Sequence, residues 1–171
     1  MKLSYNGIQP EVASDVYVAP SATLVGDVRV GARCSIWFGA CLRGDLARIT
    51  LREGTNIQDN ASVHCDQGIP VEIGRNVTVG HNAVIHSCTI GDNVVIGMGA
   101  ILLTGSSVGE GSVVAAGAVV RQGTVIPPHT MAAGIPATVK RVLTDVDSGR
   151  NQANAEAYAR LAAEYILSAD Q

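Results

Sequence analysis

The sequence predicts an all-β solenoid of hexapeptide repeats with a C-terminal α-helix. Aliphatic residues recur every six positions over most of the chain, and where that period stops a helical spacing begins. The scarcity of large rings, one Phe and one Trp, suits an interior too narrow to hold them.

The period starts at Val12 and runs through Val18, Leu24, Val30, Ile36 and Leu42. After a three-residue insertion it resumes at Leu51, Ile57 and Val63, and after a four-residue insertion at Ile73, Val79 and Ile85. One residue is then dropped, and Ile90, Ile96, Leu102, Val108, Val114, Val120, Ile126 and Ala132 complete twenty positions. Six is too long for strand alternation and matches no helical spacing. It fits a coil of three hexapeptides, each a short strand and a corner, with the aliphatic side chain turned inward. Glycine often follows the aliphatic residue, as at Gly31, Gly74, Gly80 and Gly97, and is expected to serve corners that need positive φ.

A chain of 171 residues makes one domain with an appendage. We assign 1–143 to the solenoid and 144–171 to a linker and helix. The linker is TDVDSGR, Thr144 to Arg150, and the helix is expected over about 151–168. Its apolar face would be Tyr158, Leu161, Ala162 and Tyr165, packed on the side of the solenoid.

With a net charge of −3, 16% charged residues and no basic cluster, nothing recommends nucleic acid or an anionic membrane as a partner. The N-terminus lacks an apolar signal core, so a cytoplasmic protein is expected. The charge-free run Asn93 to Gly109 is interrupted by glycine, serine and threonine in phase with the repeat, which argues against a membrane span. Cys34, Cys41, Cys65 and Cys88 form no metal-binding pair and are expected to be small buried or half-buried thiols.

His64, His81 and His86 fall within 23 residues. Three imidazoles with one position left open are what a catalytic zinc site requires. In the coil, Arg43, His64 and His86 each follow an aliphatic residue of the same face, so they stack outward on consecutive coils about 4.8 Å apart. His81 lies two places after Val79, on the preceding face, and side chains from two faces of a convex prism diverge. It is therefore expected to complete the site of a neighbouring subunit, which makes a homotrimer the simplest closed arrangement. His129, beside two prolines with no partner in register, is read as structural. Asp59 is read as orienting a neighbouring residue or a histidine.

LRGD at Leu42 to Asp45, NIQDN at Asn56 to Asn60, and the spacing H-x16-H-x4-H closely resemble the γ-class carbonic anhydrase family, whose hexapeptide coils form a left-handed parallel β-helix. The resemblance implies reversible hydration of CO2 to bicarbonate. It also implies Zn2+ held by His64 and His86 of one subunit and His81 of the next, though iron or cobalt also suits three histidines. Gln58 would contact the substrate or bound solvent, Arg43 and Asp45 would pair across the trimer interface, and Tyr158 would approach the pocket. An architectural role is favoured for Arg43 and Asp45. The chain departs from the archetype at Leu46, where a glutamate is usual, and in the short insertion CDQGIP, whose one carboxylate is Asp66. Slow turnover is the expectation, because protons then lack their usual carriers. Two rivals remain: a hexapeptide acyltransferase or thioesterase-related enzyme acting on CoA thioesters, and a non-catalytic trimeric scaffold fastened by zinc.

Overall fold

In the computed structural model, which describes residues 1–169, the period of six becomes a parallel β-solenoid with three faces. The first face carries Leu24, Leu42, Val63, Ile85, Leu102 and Val120, paired in register coil upon coil. The second carries Val30, Leu51, Ile73, Ile90, Val108 and Ile126. On the third are Val18, Ile36, Ile57, Val79, Ile96, Val114 and Ala132. Of the twenty in-phase positions, these and Val12, eighteen are buried; Val12 and Val18, at the open N-terminal end, are only partly covered.

Most strands are two or three residues long, because each corner must turn the chain before a third outward residue can be placed. Thr23–Val30 and Cys41–Leu51 are longer and run on around the edge between the first and second faces. The insertion after Leu42 is thus absorbed into a strand, whereas the one after Val63 forms a tight turn closed by the pair Asp66 and Ile69. Near the N-terminus, Lys2–Leu3 adds a strand beside Leu24 and Val25, an element outside the repeat.

The glycines divide into two classes, which corrects the expectation drawn from the repeat. Those directly after an in-phase aliphatic residue have no positive φ; a Cβ on Gly97 would lie 2.4 Å from the backbone nitrogen of Ala116 in the next coil. Close approach of coils, not a left-handed backbone, requires them. Positive φ falls two places later, at Gly39, Asn60, Asn82, Gly99 and Gly117, where glycine and asparagine share the duty.

The C-terminal end also departs from expectation. Thr130–Ala133 turns back into an antiparallel strand, Thr138–Val142, that closes the solenoid. The helix then begins at Asp145 and runs to Ala169, so most of the expected linker is helical. The reason is a capping box: the Thr144 backbone nitrogen donates to Asp147 Oδ2 at 2.9 Å, and the Asp147 nitrogen reaches back to Thr144 Oγ1 at 3.4 Å. Arg141 grips the same carboxylate with two hydrogen bonds. Asp170 and Gln171, the end of the expected tail, lie outside the described residues.

The helix runs back along the third face, its turns of about 5.4 Å nearly matching the spacing of the coils. Asn151 Nδ2 donates to the carbonyls of Asn93 and Gly111, and Asn154 Nδ2 to Thr78 Oγ1. Further on, Tyr158 meets Trp37, and Tyr165 meets Tyr17 and Trp37. Ala155 and Ala162 are buried, while Leu161, expected on this face, is exposed. Asn151 and Asn154 extend the contact face toward the helix N-terminus, where the helix covers polar backbone and hydroxyl groups.

Candidate metal centre

The three faces differ in what they present outward. The second is polar, with Arg29, Thr50, Glu72, Thr89 and Ser107 in one ladder. The third lies under the helix. The first presents Cys41, Ser62, Val84, Ile101 and Val119; all but the exposed Ser62 are half-buried and apolar, and no element among the described residues covers them.

His64 and His86 stand at one edge of that first face, paired in register, with Arg43 beside His64 one coil earlier. The sequence expectation for this column is met. The two imidazoles have centroids 5.3 Å apart and planes inclined by 70°, and both are partly exposed. Asp45 turns back toward the column, accepting from Arg43 Nη1 and lying 3.0 Å from His64 Nε2. The Arg43–Asp45 pair is therefore made within one chain. Desolvation pushes the Asp45 carboxyl up, but hydrogen bonds from Arg43 and His64 outweigh it and hold the group below its ordinary range.

His86 has partners the sequence did not announce. Its Nδ1 lies 3.3 Å from Thr104 Oγ1, and that hydroxyl donates to Asp66 Oδ2 at 2.6 Å. Thr104 follows Leu103 in an ordinary corner, so nothing in its local sequence marks it. The one available signal was the residue missing after His86, which leaves space there.

His81 occupies the edge between the third and first faces, at the opposite end of the first face from His86. Its Nδ1 lies 2.8 Å from Asp59 Oδ2 in the coil below, which is the orienting contact expected of Asp59. Gln58 is buried beside them, and its Nε2 donates to Asn56 Oδ1 at 3.2 Å. No hydrogen bond to its Oε1 occurs among the described residues. Tyr158 packs edge-on against Trp37, with centroids 5.6 Å apart. Burial first and the nearby Asp59 charge second raise its hydroxyl above the ordinary tyrosine range.

Among the described residues, no three His, Cys, Asp or Glu side chains of one chain converge on a point that would hold a metal. One chain instead offers two candidate half-sites: His64 with His86, and His81 with Asp59 and the neighbouring Gln58. The donor chemistry suits zinc. Ionised Asp59 only accepts, so His81 carries its hydrogen on Nδ1 and leaves the Nε2 lone pair free. His64, bonded to Asp45 through Nε2, is held in the opposite form. His129 stays apart from both half-sites, exposed at a corner with φ +52°. Cys65 is buried behind His64, and burial pushes its thiol up to about 11.

Residues 87–122 match the family model described as bacterial transferase hexapeptide (six repeats). A Methanocaldococcus jannaschii protein named "Probable carbonic anhydrase" is 41% identical over 150 residues, 88% of this chain and 94% of its own length. "Gamma carbonic anhydrase 2, mitochondrial" of Arabidopsis thaliana is 56% identical over 55 residues, 32% of this chain and only 20% of that protein's length. Among solved structures, a hexapeptide transferase family protein from Anaplasma phagocytophilum superposes with a TM-score of 0.93 at 39% identity, covering 96% of this chain and 97% of the other. With its histidine column in register and a 41% identical relative spanning 88% of it, the chain belongs to the γ-class carbonic anhydrase-like family of hexapeptide-repeat, left-handed β-helix proteins.

Proposed function

We propose that this protein is a zinc-dependent γ-type carbonic anhydrase, interconverting CO2 and bicarbonate at sites shared between subunits of a homotrimer. The observation that carries the reading is the pair of half-sites: two imidazoles stacked in register at one end of an uncovered apolar face, and a third at the other end. Association through that face would bury Cys41, Val84, Ile101 and Val119 and bring unlike half-sites together.

His64 and His86 of one subunit and His81 of the next would hold the metal. When bound there, zinc supplies a Lewis acid that lowers the pKa of water to about 7. The chain's own residues do the rest. Asp59 holds His81 with Nε2 outward. Gln58, anchored through its nitrogen to Asn56, directs its oxygen as an acceptor that orients a hydroxyl group or substrate. Arg43 and Asp45 fix the edge of the face where two subunits would meet, an architectural role that includes setting the orientation of His64. Tyr158 backs the pocket through Trp37. Leu46 carries no proton, so Asp66 is the carboxylate nearest His86 and turnover is limited by proton removal.

Acyl transfer from a CoA thioester is the second reading, favoured by the transferase name of a solved relative at 39% identity. It needs one histidine as a base and gives no role to the register of two.

The test is stopped-flow CO2 hydration by the zinc-loaded protein, with His81→Ala as control and acetyl-CoA turnover measured alongside. Hydration that disappears in the variant supports the anhydrase. Acyl transfer that persists in the variant, with no hydration in either protein, supports the second reading.

A further inference from the structure

We infer that Thr104 and Asp66 are a positioning pair that locks His86 in its Nδ1-protonated form, so that Nε2 is the atom offered to the metal; the purpose of the pair rests on the zinc reading above. Its geometry follows from an irregularity in the repeat. From Ile85 to Ile90 the chain takes five steps, where Leu102 to Val108 takes six. Gly105 hydrogen-bonds the carbonyl of Ser87, so Thr104 has no counterpart in the shorter corner. Its side chain stands at that gap, against the imidazole of His86.

The direction of the hydrogen bonds then decides the tautomer. A threonine hydroxyl has one hydrogen and two lone pairs, and an ionised carboxylate only accepts. Thr104 commits its hydrogen to Asp66 Oδ2 at 2.6 Å. Toward His86 Nδ1, 3.3 Å away, it has only lone pairs to offer, so Nδ1 must donate. An imidazole free in water favours a hydrogen on Nε2, the opposite of the form this contact holds at His86.

Asp66 is itself tied down. Its backbone nitrogen donates to Ser87 Oγ at 2.6 Å, and that hydroxyl donates to the carbonyl of Ile69 at 3.1 Å. Gly68 in the same turn donates to the carbonyl of Leu46 at 3.2 Å. The insertion after His64 is thus pinned so that its one carboxylate meets Thr104. His81 reaches the same tautomer through Asp59 directly. Two ligands from different faces are prepared alike, by a carboxylate in one case and by a carboxylate acting through a hydroxyl in the other.

The experiment reads the tautomer and the metal separately. Nitrogen-15 spectra of the metal-stripped full chain report which nitrogen of His86 is protonated, and chelator competition reports zinc affinity. The pair requires Nδ1–H in the parent, a shift toward Nε2–H in Thr104→Val, and recovery in Thr104→Ser. Zinc affinity should fall about 10–100-fold in the valine variant and return with serine. A parent His86 protonated on Nε2, or a folded valine variant with unchanged tautomer, overturns the pair. If valine does not fold, the parent and serine spectra still decide. If the tautomer behaves as required while the parent takes up no zinc, the pair stands and the zinc reading fails.

Discussion

His64 and His86 lie in direct register one coil apart, their ring centroids 5.3 Å from each other and their planes inclined by 70°. Parallel coils impose this relationship: a residue placed one step after an inward aliphatic side chain must stack on its equivalent in the next coil. Val63 and Ile85, fully buried beneath them, fix the backbone that carries both rings. Stability and site geometry therefore share the same residues.

Ile85→Ala leaves a cavity that the coils above and below cannot close, because their backbones are hydrogen-bonded to each other along every face. The expected loss is about 2–5 kcal/mol, measured as a shift in the urea unfolding midpoint at constant slope. A loss below about 1 kcal/mol would contradict the packing described for this column.

Two neighbouring glycines should respond in opposite ways to asparagine. A Cβ at Gly97 would lie 2.4 Å from the backbone nitrogen of Ala116, so any side chain there forces the coils apart. Gly99 has φ +65° and open space, the conformation that Asn60 and Asn82 already adopt in the coils below. Gly97→Asn should therefore cost about 1–3 kcal/mol or more, and Gly99→Asn only a few tenths. Paired thermal melts check this, and equal losses would refute the two classes of glycine.

The period of six made the solenoid, its faces and the histidine column legible, because every in-phase aliphatic residue obeys the same spacing. Less legible were features that depend on one residue. The capping box at Thr144 and Asp147 was written in TDVD, but Gly149 and Arg150 gave the same stretch the composition of a linker. Asn151 and Asn154 anchor the helix by hydrogen bonds, so a search for apolar spacing passed over them and chose the exposed Leu161. Thr104 meets His86 only because the preceding corner is short, a relationship between coils that no local pattern displays.

The helix cap should depend on pH. Hydrogen bonds from Arg141 first, and then from Thr144, hold the Asp147 carboxyl well below its ordinary value of 3.8. A carboxyl depressed on folding stabilises fully above its unfolded value, and that contribution is lost as the pH falls below 3.8 toward the folded one. Asp147→Asn should therefore lower the melting temperature at about pH 7, and its gap from the parent should narrow steadily as the pH falls below 3.8. A gap as wide at about pH 2 as at about pH 7 would contradict the assignment.

Three of the four thiols should be inert in the native protein. Burial pushes Cys34 and Cys88 up to about 12 and Cys65 to about 11. Alkylating reagents attack the thiolate, so iodoacetamide at neutral pH should leave Cys34, Cys65 and Cys88 unmodified in the native protein. Mass spectrometry of the native and urea-unfolded protein reads this directly. Labelling of Cys34 before unfolding would show that the coil opens locally.

The central claim is that His81 serves a different subunit from His64 and His86, and mixing two disabled variants tests it. His64→Ala and His81→Ala should each retain little zinc alone. Unfolded together in equal amounts, refolded and loaded, every mixed trimer has one junction with all three histidines, restoring about a quarter of the parent's zinc content and CO2 hydration. No recovery from mixed trimers, with the parent active after the same treatment, would mean that each site is built within one chain.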